Sequence, residues 1–134
     1  MWRIGLFSKK PAPLHGVPAA RRVKRYAADS GYVYEYFHEG NRLWCDGESR
    51  GLEFEFRVRS GREQWLPAAV VITDDALAAW QATHGFALTS TERYAIAKLA
   101  LFQTFDGLAA PPERAVEVRV STDDAETFAD RLDL

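Results

Sequence analysis

Between residues 52 and 59 the chain alternates strictly: Leu52, Phe54, Phe56 and Val58 are apolar, and Glu53, Glu55, Arg57 and Arg59 are charged. A period of two puts the apolar side chains on one face of an extended strand and the charges on the other. A helix would scatter both sets around its circumference, so this segment commits the fold to a sheet with one dry face. That face needs a cover, and the rest of the sequence must supply it.

Neighbouring segments extend the sheet. Trp65 to Ile72 is an almost unbroken apolar run with Pro67 near its start, the pattern of a strand covered on both faces with pairing restricted at the proline. Upstream, Tyr32–His38 is aromatic and β-branched, Glu39–Arg42 suits a hairpin turn, and Leu43–Cys45 reads as a short returning strand ended by Asp46-Gly47.

Downstream the period changes to that of helices. Thr73 or Asp74 caps a helix to about Thr83, stopped at His84-Gly85. Thr89-Ser90-Thr91-Glu92 is a capping box opening a helix to about Phe105, whose apolar residues wrap most of its circumference. After Pro111-Pro112, Val116, Val118 and Val120 give a last strand, and Ser121 or Thr122 caps a short helix with an Ala125, Phe128, Ala129, Leu132 stripe. The order ββββ-αα-β-α predicts an α+β fold: a single domain over residues 31–134, with an antiparallel sheet of four to five strands packed by helices. A chain of 134 residues that is 47% hydrophobic has the material for such a core, which excludes disorder throughout.

Residues 1–30 read differently. Pro11, Pro13, Gly16 and Pro18 break any regular period, so this stretch is expected to be an arm, mobile at least in its first part. The arm is basic. Seven of the 17 Lys and Arg lie in residues 1–28, with none of the 19 Asp and Glu, so the remainder carries a net charge of −9. Such asymmetry points to a partner, or to the arm folding onto its own acidic body. A membrane foot of Trp2, Ile4, Leu6 and Phe7 would be too small for more than transient contact, and that role is not expected for residues 1–10.

The single cysteine, Cys45, excludes an intramolecular disulfide, and no apolar run approaches the ~20 residues of a membrane span. The apolar patch at the start is too short for a signal peptide, and Gly does not follow Met1 as myristoylation requires. A reduced, cytoplasmic setting is expected. His15, His38 and His84 are scattered with no ligand spacing, so neither a metal nor a cofactor is expected.

Two local motifs carry family resemblances. Tyr94-Ala95-Ile96-Ala97-Lys98 resembles the Tyr-x-x-x-Lys element of short-chain dehydrogenases, and four-residue spacing sets both side chains on one helix face. That family's glycine-rich turn and βαβ unit are missing here, so no catalytic assignment follows. Arg21-Arg22-Val23-Lys24-Arg25 resembles the Arg-x-x-x-Arg element of PilZ-type cyclic dinucleotide receptors, in which paired arginines grip phosphates. The second element of that family is matched only out of register by Asp46, Ser49 and Gly51, and mid-chain helices do not suit a small barrel. Cys45 and His38 would face each other across the expected hairpin, although a small apolar cysteine beside Trp44 is the plainer reading.

The aromatic stripe is the more informative feature. Tyr32, Tyr34, Tyr36 and His38 share one face of their strand. Either helices pack on that face, or it stays open as a platform on which bases or another flat ligand stack beside the basic arm. The acidic body opposes a nucleic-acid backbone. No constellation fixes a reaction, so the expected function is a non-enzymatic protein-interaction or adaptor module, self-associating as a homodimer through helix 90–105 or a sheet edge. The alternative is a nucleic-acid, nucleotide or small-ligand binder. Its candidate binding residues are Tyr32, Tyr34, Tyr36, His38, Arg21, Arg22, Lys24 and Arg25.

Overall fold

The alternating segment forms β3 (Ser49–Ser60), the middle strand of a five-stranded sheet in the computed structural model, which describes residues 12–134. Phe54, Phe56 and Val58 are at most 2% exposed on the covered face, while Glu53, Glu55, Arg57 and Arg59 are half-buried on the other. On its flanks lie β2 (Val33–Asp46) and β4 (Leu66–Thr73), both antiparallel to it. The outer strands are β1 (Lys24–Ala27), antiparallel to β2, and β5 (Val116–Val120), parallel to β4. The sheet is therefore mixed, not the antiparallel sheet expected. Helices α1 (Asp74–His84) and α2 (Ser90–Gly107) intervene between β4 and β5, and only such a crossover returns a chain parallel to the strand it left.

Helix ends follow their sequence signals. Thr73 caps α1, and Gly85 closes it in the left-handed conformation at φ 83°. Thr89 and Glu92 satisfy each other's backbone amides at 3.1 and 2.8 Å, and Ser121 and Asp124 repeat the device at α3 (Thr122–Arg131). The core lies between the helices and one sheet face: Trp80 of α1, Ile96, Leu101 and Phe105 of α2 and Phe128 of α3 meet Tyr34, Phe54, Phe56, Val70 and Ile72. The apolar surplus of the second helix is used here. Ile96, Ala97, Ala100, Leu101 and Phe105 are buried, and Tyr94, Leu99 and Phe102 pack against the core, all within one chain.

Two boundaries differ from the sequence reading. The expected hairpin turn at Glu39–Arg42 lies inside β2, where the pairing passes from His38↔Phe56 to Gly40↔Glu55 and leaves Glu39 as an extra residue. This is a β-bulge, with Gly40 at φ 146°. The extra residue reverses the strand's parity: Tyr34, Tyr36 and His38 face the helices before it, and Asn41 and Leu43, opposite Phe54 and Leu52, do so after it. The actual turn is Asp46–Ser49, with Gly47 at φ 60°. The second difference is β1, which falls within the stretch expected as an arm and carries the sheet's edge back to Lys24. His15 also exchanges backbone hydrogen bonds with Asn41 at 2.6 and 2.8 Å. The expected mobility of the arm's first part and the membrane foot concern residues 1–11, outside the described residues.

Candidate functional site

Helix α2 runs antiparallel to β2, and their side chains meet in rows. Tyr34 stacks on Phe105 with ring centroids 4.1 Å apart, Tyr36 meets Phe102 edge-on at 5.4 Å, and His38 lies 4.8 Å from Tyr94. From Tyr34 to His38 the strand covers ~13 Å and from Phe105 to Tyr94 the helix covers ~16 Å, so the two elements stay in contact over this length. Tyr26 of β1 joins the stack on Phe102 at 4.2 Å, and its hydroxyl donates a hydrogen bond to Asp106 Oδ2 at 2.8 Å. Burial and that carboxylate push the Tyr26 phenol up to about 12. Of the two readings of the aromatic stripe, helix packing describes the geometry. Tyr34 and Tyr36 are 0% and 4% exposed, and neither offers a free ring face to a base, whereas Tyr32 is 39% exposed at the strand's start.

The rows are not sealed at the His38 end. There β1 has not yet begun, and the segment around Pro18 and Ala20 stands away from the edge of β2, leaving a cleft of about 220 Å³. Arg22, Lys24, Tyr36, Phe37, His38 and Tyr94 complete its wall. Lys98, one turn beyond Tyr94, holds its Nζ 6.0 Å from the Tyr36 ring and 5.8 Å from the Tyr94 ring. Two cations line the hollow, Arg22 and Lys24 from the chain entering β1, and a third, Lys98 of α2, stands beside it against two of its rings. No carboxylate lines it.

The hollow is electrostatically tense. Burial disfavours the Lys98 ammonium, and Lys24 beside it adds like-charge repulsion, so the Lys98 pKa is lowered. Burial also lowers His38, against the opposing pull of the Gly40 backbone and Glu39, so the ring is neutral at pH 7. Its Nε2 is buried without a hydrogen-bond partner. Tyr36 and Tyr94 are both raised by burial, Tyr36 further by Tyr94, and remain phenols. The arrangement suits stabilising negative charge in a partly dry, aromatic-walled space, and among the described residues no group of three or more His, Cys, Asp and Glu could hold a metal ion.

The eight candidate binding residues divide. Arg22, Lys24, Tyr36 and His38 come together here. Arg21 lies over Phe37 at 4.4 Å, and Arg25 pairs with Glu35 at 3.7 Å. Both belong to the opposite sheet face, because a strand sends alternate side chains to opposite sides. Tyr32 and Tyr34 line other hollows, beside the β3–β4 turn and Pro111-Pro112. The larger of these, about 750 Å³, is lined by Arg62 but also by Glu63 and Glu113, so its lining carries more negative than positive charge.

The motif readings are corrected in the same way. Arg25 pairs with Glu35 near the start of β2, while Asp46 and Ser49 close its far end, eleven residues or ~36 Å away, so the two halves of the PilZ-like pattern do not meet. Cys45 and His38 lie on one strand and not across a hairpin, seven residues or ~23 Å apart, and Cys45 is exposed. Tyr94 and Lys98 do share a face: Tyr94 lines the cleft and Lys98 lies 5.8 Å from its ring. The dehydrogenase pattern asks for a nucleotide turn that this fold lacks; the signal for their shared position is two polar side chains one turn apart within the apolar middle of α2.

No helix among the described residues is long and apolar enough to cross a membrane. No family model matches this chain, and no curated protein or solved structure matches it either.

Proposed function

We propose that this chain is a non-enzymatic binding module for a small anionic ligand, seated in the cleft between Arg22, Lys24 and Lys98. The observation that carries this reading is an aromatic-walled hollow lined by Arg22 and Lys24 and by no carboxylate, with Lys98 within 6.0 Å of two of its rings. Size narrows the ligand. Sites that enclose drug-sized ligands run to roughly 300–1,000 Å³, so a hollow of about 220 Å³ accepts a small molecule or a single charged group. A polynucleotide or cyclic dinucleotide would lie mostly outside it. The adaptor reading drew on the apolar surplus of helix 90–105, and because those side chains are covered within the chain, the ligand reading is favoured.

The test is a backbone NMR titration of the full chain with phosphate, sulfate and acetate, alongside an Arg22→Ala/Lys24→Ala variant. Saturable shifts at Arg22, Lys24, His38, Tyr94 and Lys98 are expected, weakened at least 10-fold in the variant and by added salt. Absence of saturable shifts up to tens of millimolar anion, or equal binding by the variant, would refute the proposal.

A further inference from the structure

Resting on that reading, we infer that the cleft selects a doubly charged phosphoryl group, as carried by a small phosphate monoester, over singly charged carboxylates. The first argument is charge supply. Arg25, Arg42, Arg57, Arg59 and Arg119 are each held by a Glu or Asp within 3.7 Å. Among the described residues no ion pair claims Arg22, Lys24 or Lys98, and residues 1–11 contain no acidic side chain that could. Three uncompensated positive charges favour a dianion over a monoanion, because each further negative charge also relieves the repulsion between Lys24 and Lys98.

The second argument is shape. Arg22 and Lys24 line the hollow beside β1, and Lys98 of α2 stands within 6.0 Å of its Tyr36 and Tyr94 rings. A carboxylate has two oxygens in one plane and meets one wall well. A phosphoryl group carries three oxygens in a tetrahedral array, so it can accept from Arg22 and Lys24 and still turn an oxygen toward Lys98, with Arg22 able to donate in fork geometry. The neutral aromatic surfaces of Tyr36 and Tyr94 keep the surroundings partly dry, where charge-assisted bonds are strongest.

Protonation of the ligand offers a readout that general anion affinity would not move. A phosphate monoester passes from monoanion to dianion near pH 6, whereas acetate remains a monoanion from pH 5.5 upward. Around the cleft, His38 on β2, with Glu39 beside it, gains charge on acidification. Lys98 on α2 loses charge at high pH, Arg22 and Lys24 face the hollow from the chain entering β1, and the Tyr36 and Tyr94 phenols stay neutral. These changes act on both ligands, so the ratio of their affinities isolates the ligand's own charge.

Dissociation constants of glycerol phosphate and acetate are therefore to be measured on the full chain at pH 5.5 and 7.5 by calorimetry and ³¹P NMR. Glycerol phosphate is expected to bind at least 10-fold more tightly than acetate at pH 7.5, with the ratio shrinking several-fold at pH 5.5. Lys98→Arg should keep the preference and Lys98→Ala should lose most of it. Inorganic phosphate serves as the source control: if it binds more tightly than the ester, the site takes the free ion and the monoester assignment is overturned. Equal affinities for acetate and the ester, with both shifting cleft resonances, would overturn the selectivity while leaving anion binding standing. Binding of neither would overturn both.

Discussion

Glu55 is the odd carboxylate on the open face of the sheet, and replacing it with Gln should stabilise the protein at pH 8 relative to pH 5. Three of its neighbours have partners: Glu35 holds Arg59 at 2.8 Å, Glu39 holds Arg57 at 2.9 Å, and Glu53 holds Arg42 at 3.3 Å. Glu55, two residues from Glu53 on the same face, is left with burial and a second carboxylate. Desolvation, a hydrogen bond with Glu53 and repulsion from its charge raise the Glu55 pKa from 4.5 to about 7, against the weaker pull of Arg42 and Arg57. In the folded state the group therefore holds a proton that the unfolded chain releases, and stability falls as pH rises from 4.5 through 7. The difference corresponds to at most ~3 kcal/mol, which water access to a half-buried group reduces to ~1–2 kcal/mol. His38, lowered by burial, contributes in the opposite sense, adding stability as pH rises, but it is common to both proteins and cancels in their difference. Urea unfolding followed by tryptophan fluorescence at pH 5 and pH 8 reads the effect. At ~1–3 kcal/mol per M, the midpoint of Glu55→Gln should gain ~1 M on the parent between the two pH values. A midpoint difference that does not change with pH, or one that moves the other way, would refute the reasoning.

Two further substitutions probe the packing. Tyr34→Phe removes a hydroxyl that is buried without a hydrogen-bond partner while leaving the ring stacked on Phe105, so thermal unfolding should show a change between zero and ~1 kcal/mol of stabilisation; a loss of more than ~1 kcal/mol would contradict it. Gly40→Ala forces a side chain into φ 146° and sets its Cβ 2.8 Å from the His15 carbonyl oxygen, which should cost ~1–3 kcal/mol and speed amide exchange at His15 and Asn41 before the sheet opens; unchanged exchange there would remove Gly40 from its assigned part in docking that segment.

What could be read from the sequence was whatever a local period or cap determines. The alternation of residues 52–59, the capping box at Thr89 and the glycine stop at Gly85 each specify an element through neighbours a few residues away, and each element stands where expected. The bulge was not legible in that way. Gly40-Asn41 suits a tight turn as well as an extra strand residue, and only the partner strand decides, since β3 offers continuous pairing past both. The parallel pairing of β5 likewise depends on where two helices deliver the chain. Half of the candidate binding set gathers in the cleft for a similar reason: the residue types were visible, but Lys24 reaches it only because β1 pairs Lys24 with Tyr36.

That register connects the fold to the proposed activity. In Arg21-Arg22-Val23-Lys24-Arg25 the even positions point to the helices and the odd positions to the open face, where Phe37 and Glu35 engage Arg21 and Arg25. A one-residue slip of β1 would exchange the two sets, burying Val23 and Arg25 against α2 and stranding Arg22 and Lys24 on the far side. Tyr26 opposes the slip, because only in the observed register does its ring stack on Phe102 while its hydroxyl reaches Asp106. The bulge acts from the other end, since Gly40 and Asn41 hold the Leu14–Val17 stretch and fix where the intervening chain can stand off from β2. Between these two anchors the edge of β2 from Phe37 to Gly40 pairs with no strand on that side, and the cleft opens there. A cationic hollow at this point therefore follows from two packing decisions made outside it, and neither requires any of the three cations.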